Sequence, residues 1–348
     1  MMKTWQAGKR LLPMTAALGL ILAGCGREDL SVLRPQGPAA ESSFDLMKLA
    51  ITIMVAVLLV VFTIAAYVLI RFRRKPGQRE VPEQVEGNFK LEVIWTVIPL
   101  ILVVILAVPT VKAVFAAGND HADDPDAVKV KVTGHQYWWE FEYTDYGVKT
   151  AQDLVIPAGK DIAFELRTAD VLHSFWVPSL SGKIDTNPDG TVNRFSFSAP
   201  NEGVYRGKCA ELCGPSHGFM EFKVKSVSEA EFEQWLASMK APAVLPEDPQ
   251  LAETFRSACL RCHAVGDQGL AVGPDLTGFG SRESVAGILL NDDTGADGAP
   301  ILENLQTWLH DPESVKPGNT MPDPKADLGL TDEEIDGIAE YLSGLTLE

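Results

Sequence analysis

A multi-domain chain is predicted, with a two-helix transmembrane hairpin, an all-β sandwich or barrel and an all-α domain in series along its 348 residues. Three observations carry this. Two charge-free apolar runs lie in the first third, period-two alternation between turn residues follows from about Val128, and beyond a proline-rich break the pattern turns helical. An apolar content of 46% excludes a mainly disordered protein. Charge is uneven: residues 1–240 carry 25 basic and 27 acidic side chains, residues 241–348 carry 5 and 20. The last third is thus an acidic unit with its own surface. It lacks the basic footprint that phosphate binding needs, so nucleic acid is not an expected partner and a basic protein is.

Residues 1–25 read as a lipoprotein-type signal peptide. Lys3, Lys9 and Arg10 precede an uncharged run, Leu11 to Gly24, too short to span a bilayer comfortably. Leu22-Ala23-Gly24-Cys25 resembles a bacterial lipobox, which would make Cys25 the acylated first residue of the mature chain, an ordinary signal or uncleaved anchor being the alternative. Residues 26–120 hold the two membrane helices, about 47–71 and 93–115, since Leu49–Ile70 and Val93–Val111 are each near the ~20 residues a helix needs to cross hydrocarbon. Arg71, Arg73, Arg74, Lys75 and Arg79 between them place that short loop in the cytoplasm and the remainder outside a bacterial plasma membrane.

Residues 121–239 form the β domain. Strand-like pieces occur at Val128–Val132, Tyr137–Tyr143, Ile162–Leu166, Phe195–Phe197 and Phe219–Val227, and a helix, Glu229–Met239, closes it. Lys240–Gln250, with three prolines and no periodicity, is a semi-rigid linker, reaching about 18 Å if flexible. Residues 251–348 carry helices at Leu251–Cys259, Asn304–His310 and Thr331–Leu345. Thr331 and Glu334 open the last as a capping box.

Two clusters carry chemistry. Cys209, Glu211, Cys213, His217 and Met220 lie within twelve residues, and thiolate, imidazole and thioether together favour copper over magnesium or calcium. Gly214-Pro215 interrupts any helix there, so both sulfurs can face one pocket, and His173, between strand-like pieces, is the best further ligand. His121 and His135 read as structural. Cys259-Leu-Arg-Cys262-His263 is the C-x-x-C-H pattern of covalent haem attachment: two thiols one turn apart meet the vinyl groups, and the next imidazole meets the iron. Met321, the only Met in 241–348, supplies the second axial ligand, and the carbonyl after Gly273 can orient the His263 ring. A redox disulfide or a zinc site, for which His310 would be needed, are the alternatives; His310 reads instead as a surface or capping residue.

The Cys-x-Glu-x-Cys-Gly-x-x-His-x-x-Met run at 209–220, Val171-Leu-His-Ser-Phe-Trp176 and the two apolar runs resemble subunit II of haem-copper cytochrome c oxidases. The fused haem domain resembles the caa-type. The resemblance implies a cupredoxin-like sandwich holding binuclear Cu-A, with Cys209 and Cys213 bridging, His173 and His217 terminal, and Met220 and the Glu211 carbonyl as weak ligands. A class I cytochrome c domain follows. It further implies Mg at an interface with subunit I reached by the Glu211 side chain, a proton route beginning at Glu92, and an aromatic electron port. The family usually has Trp at the port position, whereas this chain has Tyr137, leaving Tyr137 or Trp138 for that role and Trp139 for the core.

The function so implied is a relay in a proton-translocating terminal oxidase. Electrons pass from a donor such as cytochrome c or a bc-type complex through haem c and Cu-A to a separate catalytic subunit, which reduces O2 to water. A Cu-A subunit of a nitric-oxide reductase and a membrane-tethered copper chaperone are the alternatives. A quinol oxidase subunit would lack the copper ligands.

Overall fold

The computed structural model describes residues 30–74, 76–77, 81, 84, 86–292 and 298–347. The signal segment with Cys25, and Lys75 and Arg79 of the basic loop, lie outside the described residues.

Helices α1 (Pro38–Arg71) and α2 (Phe89–Ala117) form the apolar hairpin, both longer than expected. Pro38 opens α1 at a position where its missing N–H costs nothing, so the polar turns before Leu49 are helical too. Asn88 caps α2, its Oδ1 accepting from the N–H groups of Lys90 (3.1 Å) and Leu91 (3.3 Å). The apolar side chains of both helices face outward, uncovered by protein, as a bilayer span requires. The start of α1 is tied to the β domain by Gln36 N–H to Ser179 O (2.6 Å) and Ala40 N–H to Leu180 O (3.2 Å). The β domain and the start of α1 therefore share one side, and the loop carrying Arg71, Arg73 and Arg74 lies at the other end of the hairpin.

The β domain is a sandwich of two five-stranded sheets. One has the order β3 (Val148–Ala151), β2 (Trp138–Tyr143), β1 (Val128–His135), β5 (Asp161–Thr168), β8 (Asn193–Ser198). The other runs β4 (Asp153–Pro157), β10 (Glu221–Val227), β9 (Gly203–Cys209), β6 (His173–Trp176), β7 (Ile184–Thr186). In β1 burial alternates residue by residue, the expression of its Val-Lys-Val-Lys-Val pattern. Between the sheets Trp139, Phe141, Phe164, Phe175 and Phe222 are buried and in ring contact, with Phe175 stacked on Phe222 at 4.6 Å. Trp139 is core, as expected. Gly207 lies opposite Phe222 in the β9–β10 register, and a Cβ there would meet the ring at 2.0 Å, so only glycine lets the sheet close over it. Helix α3 (Glu229–Met239) begins at a Ser228/Glu231 capping box and covers the end with Phe232 and Leu236.

The strands β1, β5 and β8 run beyond the expected pieces, and two residues expected to begin strands lie outside them. Tyr137 sits in the two-residue turn between β1 and β2, and Phe219 belongs to a short 3-10 turn before β10. The acidic domain packs α4 (Pro249–Ala258), α5 (Ile301–His310), α6 (Pro312–Val315) and α7 (Asp332–Gly344) around Phe255, Leu305, Ile335 and Leu342. The Thr331/Glu334 capping box is present. The linker is not a free tether. Ala243 and Leu245 pack on the helical core, Ala243 N–H donates to Asp267 (3.2 Å), Tyr341 Oη donates to Val244 O (2.8 Å), and Pro249 already begins α4.

Candidate copper and haem sites

The copper ligands expected from sequence converge at one end of the second sheet. His173 opens β6, Cys209 ends β9 opposite Phe175, and Met220 precedes β10, with Cys209 N–H bonded to Met220 O (2.9 Å). The loop between them brings Cys213 and His217 back over the sheet end. The Cys209 and Cys213 sulfurs lie 3.9 Å apart, well beyond a disulfide bond. His173 Nδ1 is 3.9 Å from Cys209 Sγ, His217 Nδ1 3.7 Å from Cys213 Sγ, and Met220 Sδ 3.8 Å from Cys213 Sγ. The Glu211 carbonyl is 3.1 Å from Cys209 Sγ, while its carboxylate turns away to Lys183 Nζ at 3.6 Å.

This is two thiols flanked by one imidazole each, with a thioether and a carbonyl outside them, all soft or borderline donors but the last. That donor set fits a copper pair bridged by sulfur, and His173, Cys209 and Cys213 are fully buried. The ring orientation of His173 is fixed. Its Nε2 lies 2.8 Å from Asp170 Oδ1, so the carboxylate takes the Nε2 proton and Nδ1 turns its lone pair to the sulfur. Burial works to raise the Asp170 pKa, but the hydrogen bonds from His173, Gln136 N–H and Val171 N–H outweigh it and hold the carboxylate ionised. Gly134 leaves room for the ring, since a Cβ there would come within 2.8 Å of it. Between the thiols, the hydrogen bond from Cys213 holds Cys209 far down, at about 3, and the resulting thiolate pushes Cys213 up.

Tyr137 is buried. Its hydroxyl lies against Gly214, where a Cβ would meet it at 2.3 Å. Trp138 stacks instead on His135, ring centres 4.1 Å apart. Burial lowers the His135 pKa to about 4, and its Nε2 has no hydrogen-bond partner, so it is a neutral stacking ring. His121 contacts Asn119, Asp124 and Asp161 at the domain edge, away from the copper ligands.

The C-x-x-C-H turn follows α4, with Cys262 and His263 N–H both returning to Cys259 O (3.1 and 2.9 Å). It forms one wall of a cavity of about 250 Å³ whose other walls include Met321, Pro322, Leu309 and Ile338. Cys259, Cys262, His263 and Met321 all line it, and apart from Arg261 the rest is apolar, which suits a haem held by His and Met. His263 Nδ1 donates to Pro274 O at 2.7 Å, the orientation expected from Gly273-Pro274. Burial lowers its pKa, which keeps the imidazole neutral. Burial also pushes the Cys259 thiol up to about 12, opposite to what a redox-active thiolate needs. His310 pairs with Asp336 (3.1 Å), so it leaves the cysteines without the fourth ligand zinc would require. Glu92 sits exposed in the first turn of α2.

Asp170 was missed by sequence reading, although its i,i+3 spacing to His173 was a usable signal. Lys316 was missed with no signal, because it finds its partner 179 positions away.

Comparison with known proteins gives three family matches. Residues 32–113 match the transmembrane domain of cytochrome c oxidase subunit II, 147–227 its periplasmic domain, and 252–346 cytochrome c. The chain is 45% identical to cytochrome c oxidase subunit 2 of Alkalihalophilus pseudofirmus, covering 99% of each chain. To the protein of that name in Bacillus subtilis it is 41% identical, covering 100% of this chain and 99% of the other. The crystal structure of the periplasmic domain of the subunit from Bradyrhizobium japonicum shares 32% identity, covering 33% of this chain and 96% of that one, with a TM-score of 0.32.

Proposed function

The chain belongs to the cytochrome c oxidase subunit II family, in the form carrying a fused cytochrome c domain, and from that premise we propose that it is an internal two-centre electron relay. As a membrane-anchored subunit of a haem-copper oxidase it serves an oxidoreductase complex. When bound, haem c and Cu-A supply one-electron centres that accept from an external donor and deliver to the subunit that reduces O2. That O2 site lies outside this chain.

Cys259 and Cys262 would hold the haem through thioethers, and His263 and Met321 would ligate its iron. Cys209, Cys213, His173 and His217 would hold the two coppers, with Met220 and the Glu211 carbonyl as weaker donors beside them. One observation carries the reading most: both imidazoles aim Nδ1 at a different sulfur of one facing Cys pair, an arrangement suited to two metals rather than one. The Glu211 carboxylate, 40% exposed and paired with Lys183, would exchange that partner for a Mg site with subunit I, and Glu92 at the helix edge would open a proton route. In this reading both soluble domains face outward, which the basic residues Arg71, Arg73 and Arg74 at the opposite end of the hairpin support, and Cys25 is a lipid anchor. The acidic haem domain suits a basic donor such as cytochrome c.

The test is a pair of variants in the purified oxidase. Cys259→Ala with Cys262→Ala should lose solvent-resistant haem but keep the copper spectrum. Cys213→Ser should do the reverse, and each should stop oxygen consumption driven by cytochrome c. Unchanged oxygen consumption in either would overturn the relay.

A further inference from the structure

The haem domain and the copper domain meet across a specific face. At its centre the segment Lys316–Gly318, which leads into Met321, lies on the loop that carries Cys213 and His217. Lys316, 3% exposed, donates from Nζ to the Tyr137 carbonyl at 2.7 Å. Ser216, beside His217, donates from Oγ to Pro317 O at 2.7 Å. Gly318 faces Pro215 and the Tyr137 hydroxyl, which a Cβ would approach at 3.5 and 3.6 Å. Tyr137 is thus sandwiched between Gly214, next to a copper ligand, and Gly318, three residues before a haem ligand. The haem-side segment is itself braced. The Glu313 carboxylate accepts from Gly318 N–H (2.9 Å), Asn319 Nδ2 donates to Pro312 O and Lys316 O, and Asn319 Oδ1 accepts from Met321 N–H (2.9 Å).

A second set of contacts repeats the device from the other side. Lys223 of β10, 2% exposed, donates to Gly287 O of the haem domain (3.3 Å), Asp153 accepts from Glu283 N–H (2.9 Å), and Lys225 pairs with Glu283 (2.8 Å). Each domain therefore sends one buried ammonium to a carbonyl of the other. A buried ammonium is costly unless its donors are met, so such groups contribute little net affinity and much orientation: a face shifted by an ångström or two leaves them unpaired. Lys316 feels this cost, burial lowering its pKa to about 7.

We propose that Lys316 is a positioning residue that latches the Met321 loop onto Tyr137 and the Cys213–His217 loop, so that the haem works from one fixed docked geometry instead of diffusing on a tether. This rests on the relay proposed above. It also assigns Tyr137 to the chain's own haem domain, because the docked face covers it and an outside donor reaches the haem domain instead.

The experiment is Lys316→Met in the full oxidase, following internal haem-to-copper electron transfer after flash reduction at several solvent viscosities. In the parent protein the rate should not depend on viscosity. In the variant, with haem and copper spectra intact, it should fall at least tenfold and become viscosity-dependent, while reduction of the haem by external donor keeps its rate. A purely structural role for Lys316 would lower haem content without creating viscosity dependence. Should Lys316→Met lose haem, Lys223→Met probes the same face without touching the Met321 loop, and the same slowing and viscosity dependence are expected. Undiminished transfer in a variant holding both centres, or viscosity-dependent transfer in the parent, would overturn the latch. Absence of either centre from the parent protein would instead sink the relay itself.

Discussion

Asp170→Asn isolates the group that aims His173. In the structure Asp170 Oδ1 takes the His173 Nε2 proton at 2.8 Å and the Val171 N–H at 2.6 Å, while Oδ2 takes the Gln136 N–H at 2.7 Å. Asparagine is nearly isosteric and can still accept on Oδ1. Its NH2 group, however, faces the Gln136 N–H, and it removes the negative charge that makes the imidazole a stronger donor to metal. Losing such a partner behind a metal-bound histidine typically costs 10–100-fold in affinity, about 1.4–2.7 kcal/mol. Competition titration of the full chain with a copper chelator should therefore show weakening of that size. The haem spectrum should be unchanged, because Asp170 does not line the haem cavity. Copper affinity equal to the parent's in Asp170→Asn, alongside its loss in His173→Gln, would refute the view that the carboxylate sets the ligand's orientation and basicity.

Other outcomes follow from the same geometry. Gly207→Ala should destabilise the β domain by about 1–3 kcal/mol in thermal unfolding, as the new methyl overlaps the Phe222 ring, and unchanged stability would show that the sheet can open there. His135 has its pKa depressed from 6.5 to about 4, so the unfolded chain binds the proton more readily. Its contribution is full above pH ~6.5 and is lost as pH falls towards 4. With allowance for partial exposure this amounts to about 1–2 kcal/mol, and His135→Phe, which keeps the stack on Trp138, should flatten that acid slope in denaturant titrations. A chain ending at Lys240 should lose the haem absorption band and keep the copper spectrum; losing both would contradict two separable modules.

Much of this molecule was legible from residues alone because the relevant signals are local. Apolar runs, strand alternation, the Thr331 cap and the two ligand motifs each act within a few positions, and the structure brings His173, Cys209, Cys213, His217 and Met220 together as their residue types suggested. The short strands β3, β4, β6, β7 and β9 were not read, since pairing rather than propensity defines segments of three to seven residues, whether at a sheet edge like β3, β4 and β7 or inside it like β6 and β9. Docking of the haem domain was invisible for a different reason. Lys316 and Lys223 look like ordinary surface lysines until chain segments 179 and 64 residues away meet them. The linker misled in the same way: it is free of helix only as far as Asp248, Pro249 opening α4, and Ala243, Val244 and Leu245 find partners that a flexible tether would not have.

Electron paramagnetic resonance of the partly reduced, copper-loaded chain bears most directly on the paired-thiol centre. One electron shared by two equivalent coppers across Cys209 and Cys213 should give a seven-line mixed-valence signal. A four-line spectrum from a single copper would contradict the binuclear assignment and with it the separate roles given to His173 and His217.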